Sequence, residues 1–158
     1  MTDGVDGVVQ VALAARIAAR QHFGQLDKLG AAYISHPARV AASLEPSGDL
    51  VAVAAGWLHD VIEDTYLGDR RMTATDLLQE GVAPEVVEIV VLMTRTDDVP
   101  SDEYYARLAA HPVARQVKLA DIADNLLPWR VAKLDDSKRE QLAAKYAHAR
   151  EVLSAGAR

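Results

Sequence analysis

The chain has 158 residues, half of them apolar and a quarter charged, with a net charge of −6 and no cysteine. This length suits one domain with one core, the acidic balance argues against general nucleic-acid binding, and the lack of cysteine excludes disulfides, thiolate metal sites and a cysteine nucleophile. No apolar run reaches the ~20 residues that cross a bilayer, and residues 1–11 hold no basic residue, so we expect no membrane span, no export signal and a cytoplasmic protein.

The charge is unevenly distributed along the chain. Residues 49–103 hold thirteen acids and three basic residues, whereas residues 104–158 hold ten basic residues and six acids. Solvated helix faces would explain such runs. An acidic metal-binding segment packed against a basic segment that meets an anionic substrate would explain them equally well. Charge alone leaves both interpretations open.

The apolar spacing predicts a succession of helices. A first helix is expected to end near Gly24, and a polar loop follows at residues 25–33. Ser35 is expected to cap a second helix, which has Pro37 in its first turn and ends near Leu44. This spacing is typical of helices that bury one face.

The second half of the pattern is also helical. A third helix is expected to begin after Asp49 and to run through Ile62, and Thr73 starts a short helix that stops at Gly81. The remaining helices are predicted at residues 84–93, 101–110, 113–127 and 136–154. Pro128 is expected to end or kink the helix that precedes it. Strand signals are thin, so the pattern predicts an all-α bundle with short connections.

Residues 57–65, with the sequence WLHDVIEDT, carry the most chemistry. They place His59, Asp60, Glu63 and Asp64 on an otherwise apolar predicted helix, where residues four apart are neighbours. Ionised carboxylates buried there would need charge compensation, which a divalent cation supplies. The alternative is an exposed acidic helix end beside a hydrogen-bonded core histidine. The whole cluster favours the metal.

Two further segments add candidate ligands. His36 lies at a predicted helix start, from which its ring can project, although a lone histidine there is more often a cap. Lys118, Asp121 and Asn125 share one face of a predicted helix through spacings of three and four residues. By spacing alone each signal is weak.

Taken together, these segments resemble the HD superfamily, and within it the hydrolase domain of RelA/SpoT homologues and the stand-alone small alarmone hydrolases. The likeness covers about residues 10–153. The motifs that carry it are His22-Phe-Gly-Gln25, Lys28-Leu-Gly30, Tyr33-Ile34, His36-Pro37, Leu58-His-Asp-Val-Ile-Glu-Asp-Thr65, Thr73, Thr94-Arg95 and Lys118-Leu-Ala-Asp121. The resemblance implies a single all-α, HD-type domain over residues 1–158.

The resemblance also implies a reaction. It implies one Mn²⁺-like ion, and the ligands that it implies are His36, His59, Asp60 and Asp121; two imidazoles and two carboxylates suit such an ion. The reaction removes pyrophosphate from the ribose 3′ position of guanosine tetra- or pentaphosphate. Glu63 and Asp64 match the family's paired acids, which assist the attacking water or protonate the leaving oxygen.

The sequence departs from the family pattern where the base is recognised. Asp27-Lys28 stands where an Arg-Lys pair is usual, Ile122 replaces an arginine, and Asp124 replaces a histidine. Asn125, implied to contact the ribose, is kept. The departures leave the metal and catalytic positions intact, and they predict weaker discrimination of guanine.

Other residues and functions complete the prediction. The substrate-side candidates are Lys28, Tyr33, Arg95, Lys118 and Asn125, for each of which a surface or salt-bridge role is the alternative. His22, His111 and His148 are not expected to be ligands, Tyr146 is expected to pack between helices, and a di-iron oxygenase would need more histidines than His111. The competing functions are hydrolysis of another nucleotide and a non-catalytic HD binding module, against which the Glu63–Asp64 pair argues. A small nucleotide is the expected partner, and a homo-oligomer is left open.

Overall fold

The computed structural model describes residues 3–156, so both ends of the predicted 1–158 domain lie outside it and that extent stays a prediction. The helices are α1 (Asp3–Gln21), α2 (Ser35–Leu44), α3 (Leu50–Leu58), α4 (Val61–Asp64), α5 (Ala74–Gln79), α6 (Pro84–Met93), α7 (Ser101–Ala110), α8 (Pro112–Asn125), α9 (Pro128–Val131) and α10 (Asp136–Ala155), with a 3-10 turn at Glu45–Ser47. Helices dominate, which confirms the predicted fold class. Within the described span, no helix combines the length and the apolarity that crossing a membrane requires.

Helix α3 is the centre of the bundle. Its sequence is apolar on every side, and it packs against α1, α2, α6 and α8. A helix that is hydrophobic all round is stable only when other helices cover it. Gly56 lets α2 approach closely, because a Cβ atom there would lie 3.1 Å from the Ala41 Cα. Helix α10 lies outside, against α7 and α8.

The predicted third helix is wrong in its length. It ends at Leu58, and α4 begins separately at Val61, so His59 and Asp60 form a turn between two helices. Asp60 adopts φ −104° and ψ −4°, which departs from regular helix geometry. The break turns His59 and Asp60 toward the same point, which a continuous helix does not do for adjacent residues.

A short hairpin follows α4 and was missed by the helical pattern. Strands β1 (Tyr66–Leu67) and β2 (Arg70–Arg71) pair antiparallel around Gly68, whose φ is +64°. Two residues per strand are too few to produce a visible alternation in the sequence. The hairpin leads into α5, where Thr73 and Asp76 form the predicted capping box.

Three predicted helix ends also differ from the structure. Helix α1 ends at Gln21 rather than near Gly24, and α8 ends at Asn125, after which Pro128 opens the extra helix α9. The predicted Ser35 cap is wrong: Ile34 is the capping position, and its side chain makes no cap hydrogen bond. His36 therefore lies in the first turn of α2.

Candidate functional site

Four side chains from three parts of the chain converge at the α3–α4 turn. His36 comes from α2, His59 and Asp60 from the turn, and Asp121 from α8. The His36 Nε2 atom lies 3.2 Å from His59 Nε2 and 3.1 Å from Asp121 Oδ1, and His59 Nε2 lies 3.0 Å from Asp60 Oδ2. The structure thus brings together all four candidate ligands that were predicted from the sequence.

The hydrogen bonds of the two imidazoles determine which nitrogen faces the cluster. The Nδ1 of His59 lies 2.7 Å from the Gly56 carbonyl oxygen, which can only accept, so Nδ1 carries the proton. The Nδ1 of His36 donates in the same way to Asp124 at 2.6 Å. In the neutral rings each Nε2 then has a free lone pair, and the two lone pairs face each other.

This arrangement fits a bound cation. The two Nε2 atoms lie 3.2 Å apart, and each lies 3.0–3.6 Å from a carboxylate oxygen of Asp60 and of Asp121, close to the ~3 Å that separates neighbouring ligand atoms around a small divalent ion. His36, His59 and Asp121 are buried, so water does little to screen them. A mixed imidazole and carboxylate donor set suits Mn²⁺, Zn²⁺ or Fe²⁺.

The electrostatics of the cluster favour positive charge. Burial alone would raise the pKa of Asp60, but the adjacent His59, when its ring is protonated in place of a bound cation, outweighs burial and lowers it to about 2. Burial opposes ionisation of Asp121 too, yet Lys118, 2.8 Å away, helps to hold the pKa of that carboxyl well below its usual range. Both carboxylates therefore stay ionised at neutral pH.

Glu63 and Asp64 lie beside the cluster, at the end of the short helix α4. A carboxylate oxygen from each lies within 4.8 Å of an Asp60 oxygen. Partial burial raises the pKa of both Glu63 and Asp64. Glu63 accepts a hydrogen bond from the Arg95 backbone amide at 2.8 Å, and the Tyr33 hydroxyl donates to Asp60 at 2.6 Å and lies 3.3 Å from Asp64.

Two adjoining cavities open over these residues. The smaller, of about 340 Å³, is lined by three of the four candidate ligands, namely His36, Asp60 and Asp121, and by Glu63 and Asp64. All five predicted substrate-side residues line it as well: Lys28, Tyr33, Arg95, Lys118 and Asn125. The larger, of about 640 Å³, adjoins it and extends between the loop at residues 25–29 and α10.

Not every predicted substrate-side group is free to meet a ligand. The Lys118 ammonium is largely buried and paired with Asp121, and the Arg95 guanidinium bonds to Ser101 and stacks 5.7 Å from the Tyr104 ring centre. Asn125 donates to Asp121 at 3.0 Å. Lys118 and Asn125 therefore hold Asp121 in place as well as lining the cavity.

Three residues of the site were not predicted from the sequence. Arg130 and Lys145 line both cavities, and Asp124 is buried behind His36. The basic balance of residues 104–158 was the available signal for Arg130 and Lys145, and the departure at position 124 was the signal for Asp124. Tyr146, for which helix packing was favoured over closing the pocket, is buried and also lines both cavities.

Two of the residues that depart from the family pattern, Asp27 and Ile122, have partners within the fold. The Asp27 carboxylate accepts hydrogen bonds from the backbone amides of Leu29 and Ala31, at 2.8 and 2.9 Å, and so shapes its own loop. Ile122 is fully buried in the core. The Asp27 carboxylate is therefore hydrogen-bonded within its own loop, and Ile122 has no exposed surface for base recognition.

The other histidines have local roles. His22 bonds to Gln25 at 2.8 Å and packs on Tyr33, His111 accepts a bond from the Ala114 amide at the start of α8, and His148 pairs with Asp102 on the surface. Each partner is outside the cluster.

The chain is similar in sequence to known HD-domain proteins. The family model described as HD domain matches residues 14–157. The chain is 35% identical over 127 residues to human guanosine-3′,5′-bis(diphosphate) 3′-pyrophosphohydrolase MESH1, which covers 74% of this chain and 68% of that protein. It is 30% identical over 141 residues to a GTP pyrophosphokinase of Streptomyces coelicolor, which covers 83% of this chain and 16% of that protein.

A solved structure of a metazoan orthologue of SpoT, described as hydrolysing ppGpp, superimposes with a TM-score of 0.74. It is 23% identical in sequence, and the match covers 91% of this chain and 85% of that one. This likeness supports the HD-type fold. The chain spans about a sixth of the length of the Streptomyces relatives.

Proposed function

Because this chain belongs to the HD-domain family and is related to the hydrolase domains of SpoT/RelA proteins and to MESH1, we propose that it is a metal-dependent phosphohydrolase that removes pyrophosphate from the 3′ position of guanosine tetra- or pentaphosphate. The observation that carries this proposal is the convergence of His36, His59, Asp60 and Asp121 on one point, with Glu63 and Asp64 alongside.

In this proposal the four converging side chains hold one divalent ion. Such an ion, when bound, supplies Lewis acidity that activates a water and polarises a phosphoryl oxygen. The chain contributes the placement of the donors: the Gly56 carbonyl and Asp124 turn the two Nε2 atoms inward. Tyr33 donates to Asp60 Oδ2, the oxygen that faces the histidines, and Lys118 holds the outer oxygen of Asp121.

Glu63 and Asp64 are proposed to move the protons. The pKa values of both carboxyl groups are raised toward neutral pH. One group can then accept a proton from water while the other donates a proton to the leaving oxygen. They lie next to the candidate ligands but point into the cavity, so a reacting phosphate could contact them.

The cavity wall is suited to a polyanion. Lys28, Arg130 and Lys145 line both cavities, and Lys138 lines the larger one. Partial burial, together with the nearby charges of Lys118 and Arg95, lowers the pKa of Lys145. Crowded cations of this kind are stabilised by an anion between them.

The test is hydrolysis of a nucleotide panel with Mn²⁺, with phosphate and pyrophosphate resolved among the products. We expect pyrophosphate from 3′-pyrophosphorylated guanosine nucleotides, and about one tightly held ion per chain. His59→Ala and Asp60→Ala should lose both metal and activity, whereas the surface control Asp102→Asn should keep both. Full activity in metal-free protein would rule the mechanism out.

A second candidate function is hydrolysis of another nucleotide by the same chemistry. The observation that favours it is that the Asp27 carboxylate is hydrogen-bonded within its own loop and Ile122 is buried, so neither position offers the arginine that the family pattern places there. Equal rates on guanosine and adenosine 3′-pyrophosphorylated nucleotides, or release of phosphate alone, would favour this candidate.

A further inference from the structure

The two histidines of the cluster are held by chemically different acceptors. His59 donates its Nδ1 proton to a backbone carbonyl, that of Gly56, at 2.7 Å. His36 donates its Nδ1 proton to a side-chain carboxylate, that of Asp124, at 2.6 Å. A carbonyl is neutral, whereas a carboxylate is charged and makes the ring that it contacts a stronger donor to a metal.

Asp124 is itself fixed on its other sides. Its Oδ1 accepts a hydrogen bond from Arg39 Nε at 2.7 Å, and its Oδ2 accepts one from Arg130 Nη1 at 2.5 Å. Arg39 lies on α2, one turn after His36, and Arg130 lies on the extra helix α9. The carboxylate is only 5% exposed, so the two guanidinium groups supply the charge compensation that water cannot.

Arg130 connects this group to the loop before α2. Its Nη2 lies 4.0 Å from the Asp27 carboxylate, which orders that loop through the Leu29 and Ala31 amides. The guanidinium thus lies between two acids, one behind His36 and one under the cavity loop. Its side chain is 13% exposed, so its position is set mainly by these contacts.

We infer that Asp124 is a positioning residue for the metal ligand His36: its carboxylate keeps the proton on Nδ1 and the ring turned so that Nε2 meets His59 and Asp121, and Arg39 and Arg130 hold the carboxylate in place. This inference rests on the proposed metal site and deepens it. It also gives a function to the short helix α9, which the sequence did not predict and which carries Arg130.

The alternative is that Asp124 only ties α2, α8 and α9 together as a salt bridge. A purely structural bridge would affect unfolding but would leave the metal affinity of the folded protein unchanged. The two roles are therefore separated by measuring metal binding on folded protein, independently of turnover.

The experiment compares Asp124→Asn with the wild type and with Asp102→Asn. The Asp102 carboxylate also contacts a histidine nitrogen at 2.6 Å, that of His148, but at an exposed position. The control therefore removes the same charge from a similar contact outside the cluster. Mn²⁺ affinity is measured by competition with a chelating indicator. We expect Asp124→Asn to bind Mn²⁺ about 10–100-fold more weakly, the usual effect of losing such a partner. Asp102→Asn should bind Mn²⁺ like the wild type, and saturating Mn²⁺ should restore most of the kcat of Asp124→Asn.

A second measurement needs no variant of Asp124. Nitrogen-15 spectra of the metal-free wild-type protein, recorded at a pH where the His36 ring is neutral and with His36 assigned by His36→Asn, should show the single ring proton on Nδ1. A neutral ring protonated on Nε2 instead, or unchanged Mn²⁺ affinity in folded Asp124→Asn, would overturn the inference. If the wild type itself binds no Mn²⁺, the proposed function fails instead, so the two failures are distinguishable.

Discussion

Glu63 and Asp64 are adjacent in sequence but meet different partners. Glu63 is held by the backbone amide of Arg95, whereas Asp64 lies 3.3 Å from the hydroxyl of Tyr33. Burial raises the pKa of both, but only Glu63 has a fixed amide donor that counteracts burial. At the scale of single residues, two carboxyl groups that are adjacent in sequence therefore have different hydrogen-bond partners.

We expect Glu63→Gln and Asp64→Asn each to keep the bound metal and to lower kcat by about 10²–10⁴-fold, because general acid–base assistance contributes on that order. Metal content and turnover are measured on the same preparations. Glu103→Gln, on the exposed face of α7, is the control and should match the wild type. Loss of metal as complete as in His59→Ala would make these acids ligands instead.

Asp27 gives a second prediction at this scale. Its carboxylate accepts two backbone amides, so Asp27→Ala should disorder the loop that carries Lys28 and raise KM for nucleotides more than it lowers kcat. Asp27→Asn retains an acceptor oxygen and should stay close to the wild type. If Asp27→Ala leaves KM unchanged, the loop does not position Lys28 for substrate.

At the scale of helices, the contact between α2 and α3 sets the distance between His36 and His59. A Cβ atom at Gly56 would lie 3.1 Å from the Ala41 Cα and 3.0 Å from Leu44 Cδ1, so Gly56→Ala should force the helices apart. We expect a loss of about 1–3 kcal/mol in unfolding free energy, as for other overpacked contacts, and weaker Mn²⁺ binding.

Gly7→Ala is the matched control, because the atom closest to its Cβ would be Leu50 Cδ1, at 2.7 Å, the end of a side chain that can change rotamer, rather than backbone. Alanine is a better helix former than glycine, so this variant should be neutral or more stable in urea unfolding. Equal stability of Gly56→Ala and the wild type would mean that the contact between α2 and α3 tolerates the extra methyl group.

The start of α5 gives a pH-dependent prediction. Hydrogen bonds from Arg70 and Thr73 lower the pKa of Asp76 below its unfolded value of about 3.9. The stability that Asp76 contributes is then fully present above pH ~4 and is lost as the pH falls toward its folded pKa. Asp76→Asn should be less stable than the wild type at pH 7, with the difference shrinking below pH ~4.

Urea unfolding at several pH values measures this difference, and Asp69→Asn, exposed at the hairpin turn, serves as the control. A gap between wild type and Asp76→Asn that is as large at pH 3 as at pH 7 would contradict the assignment, because below pH ~4 the unfolded chain takes up a proton at Asp76 before the folded protein does, which narrows the gap.

The sequence predicted most helices because their apolar spacing and their Pro and Gly boundaries are local signals. It did not predict the break at His59 and Asp60, because the apolar residues on either side continue the helical spacing and the reason for the break, convergence on His36 and Asp121, is tertiary. The partner of Asp124 was hidden for the same reason: it is His36, 88 positions away along the chain. Local patterns identify candidate ligands, but not the residues that hold them.

At the scale of the whole molecule, the two oppositely charged segments of the chain meet across one cavity. Asp60, Glu63 and Asp64 from the acidic segment face Lys118 and Lys145 from the basic one. For these residues, the geometry supports the interpretation that an acidic segment packs against a basic one around a site for an anion. Pairs such as Arg107 with Glu103 are ordinary surface contacts.

Metal binding should stabilise the whole fold, because the ligands come from α2, the α3–α4 turn and α8. An ion present at 100 times its Kd adds about 2.7 kcal/mol to the unfolding free energy. For a chain of this size that corresponds to a rise in Tm of about 5–10 °C. Calorimetry with and without Mn²⁺ checks this, and His59→Ala, the control without a complete ligand set, should show no rise.

The separation of these ligands along the chain also bears on the order of folding. His36, His59 and Asp121 come together only after α2 and α8 have docked on α3, so a complete set of donors forms late. An interaction absent from the folding transition state slows unfolding and leaves the folding rate nearly unchanged. On the proposed ligand set, the metal binds after the helices have assembled. It therefore lengthens the lifetime of the folded protein, and refolding proceeds at the same rate without it.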